Sequence, residues 1–360
     1  MATQVWRRAP DVLLLFPVAL LATGLVLLAL ARRQVVEWET LTGAGLFALA
    51  LLGAVVWVHW RLPRADPFLL PITATLAALG QIMTSRLEPS LGPVSVQPME
   101  AVKLLLVLFL AGYLEEYREL LAMAGRRLGR VYLPPLPYLA PILVMIGAAL
   151  LLFWLQKDLG PALLFSTVLL AMLYVASGRG SYVVLGLALL VLGGALADRV
   201  FSHVHTRIAI WLDPWSNRET VGYQLVQALY AFASGGVFGA GLDMGSPRYI
   251  PAVHTDFVIA AIGEELGLAG SLAVVGLFVL LVQRGLVIAL TARSGFATLL
   301  ACGLTSVVAL QALIILAGTL ELIPLTGITL PFVSYGGSSV VANFVIVGLL
   351  LRISDESARQ

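Results

Sequence analysis

Residues 295–318 read GFATLLACGLTSVVALQALIILAG, and no charged side chain interrupts them. A helix of about 20 apolar residues crosses the hydrocarbon core of a bilayer, because its own hydrogen bonds satisfy the backbone there. The rest of the chain has the same character: 60% of its 360 residues are hydrophobic, 12% are charged, and the mean hydropathy is +0.97. A soluble domain carries about a quarter charged residues. The sequence therefore predicts an all-α polytopic membrane protein.

The same criterion finds about ten transmembrane helices along the chain. The first follows Arg7 and Arg8 as a signal peptide would, but its apolar part is too long, so we expect it to be retained. No polar linker divides the sequence, which predicts a single integral membrane domain over residues 1–360. The segments lie near residues 11–31, 41–60, 67–84, 98–114, 138–156, 159–177, 181–200, 256–283, 295–318 and 336–353.

Orientation follows from arginine and lysine, which favour the cytoplasmic side in short loops. With both termini in the cytoplasm, thirteen of these residues fall in short inner loops or tails and five in short outer loops. The connection at residues 201–255 then becomes one long extracytoplasmic loop. Apolar residues recur in it at helical spacing around Trp211 and Leu225, which predicts short amphipathic helices at the interface. Its glycines at 235–245 serve either helix packing or close approach to a ligand.

Composition also excludes some partners. The net charge is +2, and the basic residues are scattered through loops, so no nucleic acid is expected. Membrane lipid is the expected surrounding. Cys302 is the single cysteine and can form neither an internal disulfide nor a cysteine metal cluster.

Ionisable side chains near the predicted spans are candidates for function, because a charge at bilayer depth is costly unless it is paired or hydrated. Glu100 and Lys103 lie three positions apart and share a helix face. They either form an ion pair that extends outward to the interface or line a polar cavity. Lys157 and Asp158 interrupt two apolar stretches, which indicates either a tight outer turn at Gly160 or a binding surface.

A third group precedes the long apolar helix near residue 256. His254 and Thr255 lead into Asp256, which is either an N-terminal capping acid stabilised by the helix dipole or a reactive group. Glu264 and Glu265 follow, and three acids in ten residues exceed what a cap requires.

The fourth group, residues 324–339, reads PLTGITLPFVSYGGSS and contains Ser334 and Gly336. Its glycines and prolines prevent a continuous helix. Irregular backbone at membrane depth is tolerated where protein or a water-filled cavity covers it. We therefore expect a cavity wall or a re-entrant loop, and an ordinary glycine-rich outer loop is the alternative.

Taken in chain order, these groups resemble the motifs of the SEDS family (shape, elongation, division and sporulation), whose main branches are RodA and FtsW. One motif alone is weak, whereas six in the right order are highly specific. The resemblance covers most of the chain from about residue 90 onward. The motifs are Gln97-Pro98 with Glu100 and Lys103, Asp158-Leu159-Gly160, Trp211-Leu212-Asp213-Pro214, Gly222-Tyr223-Gln224, His254-Thr255-Asp256-Phe257 with Gly263-Glu264-Glu265-Leu266-Gly267, and Pro331 through Ser338.

The resemblance implies a peptidoglycan glycosyltransferase that polymerises lipid II into β-1,4 glycan strands at the outer face of the bacterial cytoplasmic (inner) membrane. It implies a class B penicillin-binding protein transpeptidase as partner and makes Asp256 the catalytic acid. The chain departs from the family at Met99, at Ala252-Val253 and at Lys157, none of which removes a group expected to react. Short cytoplasmic tails favour the RodA branch, for cell elongation and shape, over the FtsW branch of the division septum.

Extension from an α-linked diphosphate donor requires inversion at the anomeric carbon, with Asp256 as the expected general base. Cations must stabilise the diphosphate, and the sequence does not choose among those on the outer side. A divalent cation, Mg²⁺ or Mn²⁺, could share this task, although no ligand spacing predicts one. The candidate cations are Lys103, Lys157, Arg207, Arg218 and Arg248, and the other candidates for substrate binding or cavity lining are Glu100, Asp158, Gln224, His254, Thr255, Ser334 and Gly336.

Two other classes of function stay open. A lipid II flippase would also have broken helices and buried charges, but its site should lie near the bilayer centre, whereas these charges fall at the outer ends of their spans. A non-catalytic scaffold would tolerate neutralisation of the polar groups without loss of chemistry.

Overall fold

A computed structural model describes residues 13–32, 38–87, 97–122, 126–128, 131–133 and 159–359. These residues are mostly helical, and one small antiparallel hairpin pairs Arg126 with Leu133 on the inner side. The elements in chain order are α1 (Leu15–Arg32), α2 (Trp38–Arg61), α3 (Leu69–Leu87), α4 (Pro98–Glu116), α5 (Arg118–Ala122), β1 (Arg126–Leu128), β2 (Val131–Leu133), α6 (Leu159–Ser177), α7 (Gly180–Val200), α8 (Ser202–Leu212), α9 (Tyr223–Gly235), α10 (Val258–Thr291), α11 (Gly295–Thr319) and α12 (Gly337–Ser357).

The polytopic helical fold predicted from the sequence is confirmed. Nine of the ten predicted segments coincide with helices α1 to α4, α6, α7 and α10 to α12. The fifth, at 138–156, lies outside the described residues. Within the described part, six helices are long and apolar enough to cross a membrane, at Thr42–Arg61, Gly160–Ser177, Gly180–Val200, Val258–Thr291, Gly295–Thr319 and Gly337–Ser357.

Helix α11 lies at the centre of the bundle. It contacts α4, α6, α10 and α12, and it is the most buried of the six candidate spans. Ser294 begins it with a side-chain cap, since its hydroxyl accepts a hydrogen bond from Ala297 N at 3.1 Å. Helices α2 and α7 lie at the periphery, where most of their apolar side chains are exposed to the surrounding lipid.

The long connection predicted at residues 201–255 contains helices, as its pattern indicated. Helix α8 continues α7 after a break at Phe201, and Trp211 at its end donates to Glu321 O at 2.9 Å. Helix α9 packs along α10 and buries Leu225 and Val226, so it does not lie at the membrane interface without contact to the bundle. The loop is therefore built onto the helix bundle.

Helix α10 is broken at Gly267, where φ is 69° and ψ is −166°. Four backbone hydrogen bonds of 2.9 to 3.0 Å close the break: Ala240 N and Gly241 N donate to the carbonyls of Glu264 and Glu265, and Leu268 N and Ala269 N donate to the carbonyls of Gly236 and Val237. The glycines of 235–245 therefore serve close packing against this break, which is the first of the two roles considered for them.

An ion cluster fixes the same break to α3. Arg86 Nε lies 2.5 Å from Asp243 Oδ1 and 2.9 Å from Glu265 Oε1, and Glu265 is fully buried. Glu264 accepts from Ser246 N at 2.8 Å. The two glutamates that follow Asp256 in the sequence therefore hold the glycine loop.

Gly267→Ala is expected to lower the free energy of unfolding by at least about 2 kcal/mol. This backbone region is essentially limited to glycine and costs other residues about 1–3 kcal/mol. The added methyl would also lie 2.5 Å from Val237 O and 2.7 Å from the carbonyl carbon of Phe238. Thermal unfolding in detergent measures the effect. Gly276→Ala in the same helix is the control, because its methyl meets nothing within 4 Å. Equal melting temperatures of the two variants would contradict the expectation.

Candidate functional site

The candidate site is a cavity of about 470 Å³ at the outer end of the bundle, which we call the outer cavity. The first turns of α4 and α6, the segment before α10, the outer half of α11 and the loop at 324–336 surround it. It brings together six residues that the sequence singled out. Its lining residues are Gln97, Met99, Glu100, Lys103, Pro161, Leu164, Phe165, His254, Thr255, Asp256, Gln311, Gly327, Ile328, Thr329, Tyr335 and Gly336.

Asp256 enters the cavity from a tight turn that precedes α10. Ala252 adopts a left-handed φ of 51°, and its carbonyl accepts hydrogen bonds from Thr255 N, Thr255 Oγ1 and Asp256 N at 3.1 to 3.2 Å. The N-cap of α10 is Phe257, and the cap makes no side-chain hydrogen bond. Asp256 is therefore not the capping residue, and the turn presents its carboxylate to the cavity.

The loop at 324–336 forms the facing wall and is joined to this turn. Ser334 is buried, accepts from Leu330 N at 2.9 Å and donates to Thr255 O at 2.5 Å. Tyr335 N donates to His254 O at 2.9 Å. Ser334 therefore lies behind the wall and positions Thr255. Of the structures considered for this loop, the cavity wall is the one observed.

Glu100 and Lys103 form the predicted ion pair, with 2.5 Å between Lys103 Nζ and Glu100 Oε2. The pair faces the cavity, and only 3% of the Lys103 side chain is exposed, so it does not extend outward to the interface. Lys103 Nζ also donates to Gln311 Oε1 at 3.2 Å and to Asn343 Oδ1 at 3.4 Å. The charge is thus held inside the bundle by partners on α11 and α12.

Arg207 approaches the wall from α8. Its Nη1 donates to Leu325 O at 3.1 Å. A methyl group placed on Gly327 would lie 3.6 Å from Arg207 Nη2 and 3.7 Å from Asp256 Oδ2. The guanidinium and the carboxylate therefore both lie within 4 Å of the point where a side chain at Gly327 would begin, and they present a cation and a base to the same small space.

The start of α6 closes the cavity beside this glycine. A methyl on Gly160 would lie 2.6 Å from Thr326 O, so only glycine allows α6 to approach the wall this closely. Pro161 and Phe165 of the same helix line the cavity. Lys157 and Asp158, which precede the helix, lie outside the described residues, and their roles stay predictions.

The other candidates lie away from the cavity wall. Gln224 Nε2 donates to Pro251 O at 2.7 Å and so supports the turn that carries Asp256. Arg218 is 63% exposed and lies 3.9 Å from Glu219, and Arg248 is exposed beside Tyr249. A substrate contact by any of these three residues stays a prediction.

Asp213 of the Trp211-Leu212-Asp213-Pro214 motif caps a short turn. Its carboxylate accepts from the hydroxyl and the backbone N–H of Ser216 and from Trp215 N, and these bonds hold the pKa of Asp213 below its usual value of 3.8. A carboxyl group whose pKa is lower in the folded chain than in the unfolded chain stabilises the fold at any pH above its unfolded pKa. This stabilisation is lost as the pH falls through the pKa of the folded chain. At neutral pH the turn is therefore intact.

Sequence analysis missed the amide side chains of the site. Gln311 and Asn343 are 2% and 0% exposed and hold Lys103 from two different spans. A signal existed, because Gln311 is the one amide in residues 295–318 and Asn343 the one amide in 337–357. Polar groups in a bundle core need partners, as charges do. Neither residue belongs to the motifs quoted above.

A metal centre is not evident in the described part of the chain. No group of three or more histidine, cysteine, aspartate or glutamate side chains there could hold an ion. Two carboxylates, Glu100 and Asp256, line the cavity. Mg²⁺ is commonly bound by one or two carboxylates together with substrate phosphates, so these residues fit an ion that arrives with a diphosphate better than a resident one.

Comparison with known proteins places this geometry in a family. The family model described as cell cycle protein, and named after FtsW, RodA and SpoVE, matches residues 68–359. The peptidoglycan glycosyltransferase RodA of Mycobacterium tuberculosis H37Rv is 39% identical over 374 residues, which cover 96% of this chain and 78% of that protein. The probable peptidoglycan glycosyltransferase FtsW of Legionella pneumophila is 39% identical over 282 residues, covering 77% of this chain and 68% of that protein.

Two solved structures have a similar fold. One, described as structural coordination of polymerization and crosslinking by a peptidoglycan synthase complex, gives a TM-score of 0.64 at 27% identity and covers 96% of this chain and 98% of that one. The crystal structure of the rod shape determining protein RodA of Thermus thermophilus gives 0.50 at 25% identity, with 96% and 97% covered.

Proposed function

Because the chain belongs to the FtsW, RodA and SpoVE family and is a multi-pass peptidoglycan glycosyltransferase of the bacterial inner membrane, we propose that the outer cavity is where it polymerises lipid II. The observation that carries this proposal is that Arg207 and Asp256 both lie within 4 Å of the Cβ position of Gly327. A general base and a cation for a leaving diphosphate are the two groups that this reaction needs from a protein.

The proposed reaction follows from these positions. Asp256 takes the proton from the 4-hydroxyl of the acceptor sugar, and the oxygen attacks the anomeric carbon from the face opposite the diphosphate. The bond to the diphosphate breaks with inversion, so an α-linked donor gives a β-1,4 linkage. Arg207 donates hydrogen bonds to the departing phosphate oxygens, where guanidinium geometry matches two oxygens at once.

The architecture suits a lipid substrate. The cavity lies at the outer ends of its helices, so the sugars and the diphosphate stay near the wet interface while the polyprenyl tail remains among the spans. This depth favours polymerisation over transport, whose site belongs near the bilayer centre. A divalent cation bound with the diphosphate, near Glu100 or Asp256, remains part of the proposal, and no step depends on it.

A crosslinking partner is also part of the proposal. One similar solved structure is described as a complex that coordinates polymerization and crosslinking, which supports a class B penicillin-binding protein beside this chain. A mycobacterial RodA is 39% identical over 96% of this chain, which supports the elongation branch, and septal synthesis of the FtsW type is the second candidate.

The test is glycan synthesis from purified lipid II in detergent, with and without the transpeptidase. A flippase would yield no polymer in this assay, because a micelle has no second side to which lipid II could be moved. A polymerase is expected to yield glycan that muramidase digests. Gly336→Trp should reduce polymer at least about tenfold, because an indole would occupy space that the sugars need. Gly348→Trp in α12 is the control, since a Cβ at this position meets nothing within 4 Å and Gly348 does not line the cavity. Absence of polymer from the wild type, or full activity of Gly336→Trp, would overturn the assignment.

A further inference from the structure

Protein oxygens surround the Lys103 ammonium at the wall of the outer cavity. An ammonium group has three N–H donors. Three protein acceptors surround Lys103 Nζ: Glu100 Oε2 at 2.5 Å, Gln311 Oε1 at 3.2 Å and Asn343 Oδ1 at 3.4 Å. A phosphate oxygen could be bound only if one of these acceptors were given up. The Lys103 ammonium is therefore held in place by protein groups and is not the cation that binds the leaving group.

The two amides connect Lys103 to the opposite wall through a closed ring of hydrogen bonds. Gln311 Nε2 donates to Thr329 O at 2.8 Å. Asn343 Nδ2 donates to Ser339 Oγ at 3.4 Å, and Ser339 Oγ lies 3.2 Å from Thr329 Oγ1. The ring thus joins α4, α11 and α12 to the loop at 324–336, two residues from Gly327.

The chemistry of the partners fixes how each amide points. Lys103 can only donate and a backbone carbonyl can only accept, so the residue at 311 must offer an acceptor on one side and a donor on the other. Glutamine does both without taking up a proton, whereas a glutamate of the same length can donate only when it is protonated. Ser339 differs, because its hydroxyl can donate as well as accept. Position 343 therefore needs an acceptor for Lys103 but tolerates either polarity toward Ser339.

We propose that Gln311 is a positioning residue for glycan polymerisation, which holds the Glu100–Lys103 pair and the wall beside Asp256 in one fixed relation. The inference rests on the proposed function of the cavity. Asn343 is the second acceptor of Lys103, with a less stringent requirement. Arg207 is then the cation that takes the diphosphate, since its guanidinium faces the space beside Gly327.

The test compares Gln311→Glu and Asn343→Asp in the lipid II assay, because each variant replaces an amide by a carboxylate of nearly the same shape. Both variants place an added carboxylate beside Lys103, so the added charge is matched between them. Gln311→Glu alone also sets an acceptor against the Thr329 carbonyl. We expect its kcat to fall at least about tenfold with KM for lipid II within about twofold. Asn343→Asp keeps the acceptor for Lys103, and Ser339 can reverse its hydrogen bond, so its kcat should stay within about threefold of wild type.

Gln311→Met keeps the length without either polar atom and serves if the glutamate variant does not fold. Its kcat should fall as for Gln311→Glu while its melting temperature stays near that of wild type. The positioning role is overturned if Gln311 variants keep full kcat, if Asn343→Asp is the more damaging change, if the loss appears in KM alone, or if activity falls only in step with melting temperature. Asp256→Asn in the same assay separates the two claims, because retained activity there would remove the cavity assignment itself.

Discussion

Asp256→Asn is expected to abolish measurable polymerisation, with a loss of about 10²- to 10⁴-fold in kcat, the range that a general base contributes. The amide has almost the same shape but cannot take the proton of the attacking hydroxyl. The turn that carries residue 256 is held by backbone bonds to Ala252 O, so the variant should fold. Polymer formation from lipid II and thermal unfolding are measured on the same preparation.

Asp213→Asn is the matched control for this change. It neutralises another carboxylate of the outer loop, one that is exposed and lies outside the cavity wall, and it leaves the Ser216 turn with a weaker acceptor. Polymerisation should therefore be unchanged. Equal loss in both variants would point to a general effect of outer-loop charge, and an active Asp256→Asn would assign the base to another group.

Arg207→Gln is expected to lower kcat about 10- to 100-fold, which corresponds to the loss of charge-assisted hydrogen bonds to the leaving diphosphate. The kcat of Arg207→Lys should be little higher than that of Arg207→Gln, because an ammonium cannot contact two phosphate oxygens in the geometry of a guanidinium. Both variants also lose the bond from Nη1 to Leu325 O, so melting temperatures must accompany the rates.

Arg199→Gln provides the comparison, since Arg199 near the end of α7 is an exposed arginine that does not line the cavity. Its kcat should match wild type. If Arg207→Gln were fully active, the diphosphate would have to be bound elsewhere, and Lys103 would become the first alternative in spite of its three protein acceptors.

The fold was largely predictable because a helix that crosses a membrane consists mostly of apolar residues. Runs of about 20 apolar residues located nine of the helices, and the loop at 201–255 showed the spacing of α8 and α9. The break at Gly267 was not predictable, since helical periodicity continues through it. It depends on backbone groups at 236–241, which only the folded chain brings to that place.

The site was predictable in part for the same reason. Glu100, Lys103 and Asp256 stood out as charges where charges are costly, and the Glu100–Lys103 pairing follows from helix geometry alone. Gln311 and Asn343 reach Lys103 across more than 200 positions of chain, and no local pattern reports such contacts. Likewise, the role of Gly327 depends on α8, which carries Arg207, and the turn that carries Asp256 meeting at one point.

The broken helix α10 has a consequence for how the protein enters the membrane. Until residues 236–241 dock, the carbonyls of Glu264 and Glu265 and the amides of Leu268 and Ala269 lack partners, and each would cost several kcal/mol in hydrocarbon. The segment that satisfies them precedes α10, so it leaves the ribosome before the break does. Helices α9 and α10 can therefore close as one unit during insertion, an order of events that a circularly permuted chain opened between them would lose.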